Sequence, residues 1–195
     1  MEIPSYITHY HLRDKRPFLN LSDLGELELE AVVSELAERR RNDRAYQRMF
    51  GPVYMELRKK TEGRMRELFV AAGGKPEREA PHYFVLGDSY WFKHLCPDTE
   101  EVRLELDEIP SELVSFTYPD SFVAMGFAKD YGLPCPPRPY HGKVFRKEAL
   151  GEVVGEYGLP ADDRSGDYEN YAKQEFEKFI EFQIWADEPV VEHLM

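Results

Sequence analysis

Cysteine is scarce in this sequence of 195 residues: Cys96 and Cys135 are the only two. They form no C-x-x-C, so no disulfide framework is implied, and a reduced compartment is the expectation. Long apolar runs are missing as well. None approaches the roughly 20 residues that a membrane-spanning helix needs. No basic segment leads into an apolar stretch in the manner of a signal peptide. A cytoplasmic protein with no membrane partner is therefore expected. Positive charge is outnumbered, 25 Lys and Arg against 37 Asp and Glu for a net charge of −12, which argues against a general coat for nucleic acid. G-x-S-x-G, the P-loop and G-x-G-x-x-G do not occur, which removes the usual signals of serine hydrolases and phosphate cradles. Ser121, Cys96 and Cys135 stand in no local context that would activate a nucleophile.

Aromatic residues, by contrast, make up 13% of the chain. That is ample for a core, and the length fits a single domain over residues 1–195. Tyr6 to Leu12 is β-rich. Behind Ser22, an expected N-cap, Leu29, Val32, Val33 and Leu36 recur at helical spacing. A second helical stretch, interrupted at Gly51-Pro52, carries Val53, Leu57, Met65, Leu68 and Phe69 and ends at Gly73-Gly74. From Pro81 the texture changes to strands: His82 to Leu86, Val102 to Asp107, Leu113 to Tyr118, and a start at Val144-Phe145. A short helix or loop is expected over 121–127, a rigid loop over 134–139, a helix over 148–157 closed by Gly158, and a polar loop over 162–166. The order predicts an α+β protein, with a helical block over about 22–73 and a sheet-rich part, mainly antiparallel, over 81–188.

Three features carry chemistry. Between Arg39 and Arg78 stand 12 Lys/Arg and 5 Asp/Glu, a local net of +7. This is either a solvated helix face or a surface for phosphates or an acidic partner. His9 and His11 form an H-x-H on one strand face, a spacing that suits a metal, but nothing fixes a third ligand and no metal site is assigned. In 177–185, Phe179, Glu181, Gln183 and Trp185 share one face while Ile180, Phe182 and Ile184 share the other. A carboxylate flanked by aromatics in mid-strand is either solvated on an open face or held at a site, and the function turns on which applies to Glu181.

Tyr10-His11 comes early, and Asn20-Leu21-Ser22-Asp23-Leu24 follows ahead of a helix. Tyr83 is central in Pro81-His82-Tyr83-Phe84. After Val102-Arg103-Leu104 and Phe116-Thr117, Glu181 falls in Ile180-Glu181-Phe182. This combination resembles the ADP-ribosyltransferase fold, most nearly the DNA-targeting DarT-type toxins. The resemblance implies a split, mainly antiparallel sheet behind an N-terminal helical block, with NAD as substrate. It casts Glu181 as the catalytic carboxylate and Tyr10, His11 and Tyr83 as cofactor-binding residues, with His11 on the adenosine-side ribose and Tyr83 against nicotinamide. The arginine that assists NAD binding is open among Arg58, Arg64, Arg66 and Arg78. The Arg58–Arg66 helix would draw a nucleic acid or an acidic protein. The alternative is a non-catalytic cytoplasmic interaction module docking through the same helix. Convergence of His11, Tyr83 and Glu181 on one cleft separates the two.

Overall fold

The computed structural model describes residues 2–47, 53–160, 168, 175 and 177–193. Met49, Gly51-Pro52 and the polar stretch 162–166 lie outside the described residues. Six strands, β1 (Tyr6–Leu12), β2 (His82–Leu86), β3 (Thr99–Glu105), β4 (Val114–Thr117), β5 (Phe145–Arg146) and β6 (Glu181–Ile184), form one sheet in the order β3-β1-β2-β6-β4-β5. Every neighbouring pair is antiparallel. The strand rich in alternating aromatics is thus an inner one, with β2 on one side and β4 on the other. It is shorter than its pattern predicts, because 177–180 lie ahead of the ladder.

Both faces of β6 are buried, as an inner strand covered on two sides requires. Ile180, Phe182 and Ile184 enter the main core with Ile7, Phe84, Val114 and Phe116. Leu150, Val153 and Val154 of helix α5 (Leu150–Tyr157) join that core. On the opposite face, Met65 and Phe69 of α2 (Tyr54–Ala71) pack on Trp185, with the Phe69 and Trp185 rings stacked at 6.0 Å. Behind the Ala72 cap Gly73 turns the chain at a φ of 90°, and Gly74 then passes close over Phe69. A Cβ there would lie 2.5 Å from the Phe69 ring.

Helix α1 (Glu26–Asn42) is built differently. Its acidic first turn and its arginines at the last turn complement the helix dipole, yet none of its residues is fully buried. The expected cap is also displaced. Asn20, not Ser22, accepts a backbone N–H, and it caps the 3-10 turn Leu21–Asp23, while α1 starts after Gly25 with no side-chain cap. Two four-residue helices, α3 (Tyr90–Lys93) and α4 (Ser121–Ala124), are capped by Ser89 and Asp120. Among the described residues no helix is long and apolar enough to cross a membrane.

Candidate functional site

The sheet opens between β1 and β2. These strands pair only at Ile7↔Leu86 and Thr8↔Val85, and His9 fills the gap beyond. Its Nδ1–H donates to the Tyr83 carbonyl at 2.8 Å, and its Nε2 accepts the Phe18 N–H at 3.1 Å. Phe18 is held there at a φ of 60°, a left-handed backbone that a bulky side chain seldom adopts and that costs about 1–3 kcal/mol. The opening leads into a cleft of about 320 Å³, in the range of small-molecule sites. Aromatic side chains dominate its walls: Phe18, Tyr54, Tyr83, Trp91, Phe92, Phe122, Tyr168 and Phe179.

Glu181 and Tyr83, from neighbouring strands, both line this cleft. Glu181 is buried, not solvated. Gln183 Nε2 donates to its Oε1 at 3.2 Å. Behind Gln183 runs a relay in which Trp185 Nε1 donates to Ser115 Oγ (2.8 Å), and Ser115 Oγ donates to Gln183 Oε1 (2.9 Å). The amide of Gln183 is thereby fixed with its NH2 toward the carboxylate. Burial pushes the Glu181 carboxyl up to about 7, against the opposing pull of hydrogen bonds from Ser121 and Gln183 and of the Arg58 charge. Asp120, also in the cleft wall, is pushed up to about 8 by burial and then by Glu181.

Arg58 is the buried cation of the site. Its Nε donates to Glu62 Oε1 (2.9 Å) and Ser22 Oγ (3.0 Å), Nη1 to Tyr54 Oη (2.9 Å) and Nη2 to Asn20 Oδ1 (2.9 Å). The guanidinium lies over the Tyr83 ring at 4.7 Å, and the Tyr83 hydroxyl donates to Glu62 Oε1 at 2.9 Å. Burial raises the Tyr83 phenol well above its ordinary value. Three of the five guanidinium N–H donors are spent on fixing the wall, the Nε–H shared between Glu62 and Ser22, so Arg58 acts there as a rigid charge.

Of the four arginines left open by the sequence, Arg58 alone lines the cleft among the described residues. Arg64 pairs with Glu67 and Arg66 with Glu79, while Arg78 binds Asp23 and Asp187. The expectation that Arg58 belongs to an outward docking surface is corrected by its burial. On the same helix Lys60 pairs with Glu56 at 2.6 Å. The helix therefore presents far less free positive charge than its composition suggests.

His11 and Tyr10 are not among the residues lining the cleft, so the expected convergence is met by Tyr83 and Glu181 and not by His11, and the cofactor-binding expectation for His11 and Tyr10 is corrected. The His11 Nδ1 bonds the Leu12 and Lys15 carbonyls at 3.0 and 3.1 Å, within its own loop, and the Tyr10 hydroxyl accepts the Ser89 N–H at 2.9 Å. His9, on the same strand face as His11, takes the place at the wall. Both of its ring nitrogens are engaged, and among the described residues no group of three or more His, Cys, Asp or Glu is placed to hold a metal. The sequence reading missed Asp120. In the sequence Pro119-Asp120 marks only the turn after the strand.

No protein-family model matches the chain, and no curated protein or solved structure does so either.

The arrangement itself is specific. Two buried carboxyls and an aromatic wall stiffened by a buried cation meet in one cleft. Such a place suits a flat ring and a developing positive charge beside it.

Proposed function

We propose that this protein is an ADP-ribosyltransferase that uses NAD, with Glu181 as its catalytic carboxylate. The observation that carries this reading is that Glu181 and Tyr83 share one aromatic-walled cleft with Arg58 behind them. In the reaction the bond between the ribose C1′ and the nicotinamide nitrogen breaks, and its electron pair leaves with nicotinamide, which departs neutral. The ribose gains oxocarbenium character. Ionised Glu181 stabilises that charge and takes the proton that the acceptor gives up as its own bond to C1′ forms. The Gln183–Ser115–Trp185 relay keeps the carboxylate aimed without reorganisation. Tyr83, with one face under Arg58, offers the cleft an aromatic edge for the nicotinamide ring. His11, which the resemblance casts on the adenosine-side ribose, stands outside this cleft, and His9 in its wall has both ring nitrogens engaged.

A phosphate-bearing acceptor, nucleic acid in the first instance, is supported by the cleft's rim. Arg40 lines it, and Arg41 and Arg44 are exposed close by in sequence at the end of α1. Nicotinamide release from NAD, with single-stranded DNA, RNA or protein present in turn, tests the reading. Glu181→Gln is expected to lower release by about 100-fold or more while NAD binding stays within a few-fold. A wild-type protein that binds no NAD at millimolar concentration would leave the interaction-module reading standing.

A further inference from the structure

Asp120 has one oxygen at work and one to spare. Oδ1 caps α4, accepting the N–H groups of Phe122 (2.9 Å) and Val123 (3.2 Å). Asn or Ser would cap that turn as well. Oδ2 is buried and has no hydrogen-bond partner among the described residues, and the residue as a whole is 5% exposed. A buried carboxylate oxygen left unpaired is costly, by more than the cap returns. The side chain lines the same cleft as Glu181. Each of two buried carboxyls in one cleft disfavours ionisation of the other, and the Glu181 charge raises Asp120 further.

We propose that Asp120 is a second ligand-facing acid of this cleft, carrying a proton on Oδ2 and donating it as a hydrogen bond to an uncharged oxygen of the bound ligand. This deepens the NAD reading and rests on it. The oxygens in question are those of the ribose hydroxyls or the carboxamide. Glu181 remains the anion of the pair, since Ser121 and Gln183 already donate to it. A ligand carboxylate in place of the carboxamide faces an ionised Glu181 and is disfavoured.

The other titratable groups around the site are Arg40 from α1, Arg58 and Tyr54 from α2, Tyr83 and His82 from β2, His9 from β1, Tyr168, and Cys135, on which the Asp120 charge acts. Burial lowers His82 and raises Tyr83 and Cys135. Burial holds the two carboxyls up to about 7 for Glu181 and about 8 for Asp120.

Calorimetry of NAD binding to the full chain at pH 7, 8 and 9 decides the matter, with Asp120→Asn and Asp120→Ser alongside. Wild-type affinity should fall about tenfold as the last carboxyl proton is lost above pH 8. Asp120→Asn, which keeps both cap and donor but cannot titrate, should bind as wild type does at pH 7 and stay within twofold to pH 9. Asp120→Ser, which caps but does not reach, should bind about tenfold more weakly at pH 7. Equal pH dependence in wild type and Asp120→Asn overturns the role of Asp120 while leaving the NAD reading intact. Absence of NAD binding to wild type at every pH overturns that reading, and the ligand role of Asp120 with it.

Discussion

Glu181 lies at the centre of the sheet, where a carboxyl is least welcome. Its proton is held up to about 7, well above the ordinary 4.5. In that interval the native state binds more protons than the unfolded chain, so this residue withdraws stability as pH rises. Glu181→Gln is expected to raise stability at pH 8 by about 2 kcal/mol and to leave it nearly unchanged at pH 4. Urea unfolding at the two pH values measures this. A gain of the same size at both would mean that the carboxyl is not desolvated in the native fold. A residue that costs stability and is aimed by a three-membered relay is better explained by chemistry than by packing. Arg58 behaves in the opposite way. Removing it leaves Glu62 buried without its cation, so Arg58→Ala should destabilise by about 3 kcal/mol or more. Arg58→Lys should recover only part of that, because one ammonium cannot reach Asn20, Ser22, Tyr54 and Glu62 together.

At the scale of elements, β6 and α2 form the frame and α1 is laid against it. Every described residue of β6 is buried, and α2 buries Leu57, Arg58, Thr61, Glu62, Met65 and Phe69. Helix α1 buries none and is tied down by ion pairs of Glu35 with Lys15 (2.8 Å) and Arg39 (2.6 Å), and of Arg39 with Asp14. Hydrogen exchange should therefore find the amides of α1 opening far more readily than those of β6 or of α2 near Phe69. Equal protection across the three would contradict the account. Raised salt should widen the gap, since exposed pairs are screened. The strands were legible because a period of two survives in β3, β4 and β6. The split between β1 and β2 was not legible from periodicity. It is made by one side chain, His9, bonded to the carbonyl of a residue far along the chain. The same holds for the site. Glu181 stood out by its flanking aromatics, and Tyr83 by resemblance. Asp120 and Arg58 did not stand out, because a turn aspartate and one arginine among many look alike until their partners are placed.

For the whole molecule, charge and cleft are separate matters. The net charge of −12 disfavours loose contact with nucleic acid, while Arg40 lines the cleft and Arg41 and Arg44 follow it in sequence, both exposed. On the proposed reading, an acceptor with phosphates would be drawn to these arginines and not to the surface at large. The central claim is that the cleft between β1 and β2 holds NAD with nicotinamide against Tyr83 and its ribose beside Glu181. The most direct measurement is calorimetric titration of NAD into the wild-type protein and into Tyr83→Ala at pH 7. The account predicts measurable binding that Tyr83→Ala weakens by about tenfold, an aromatic contact of roughly 1–1.5 kcal/mol. Binding unaffected by Tyr83→Ala, or no binding to the wild type, would contradict it.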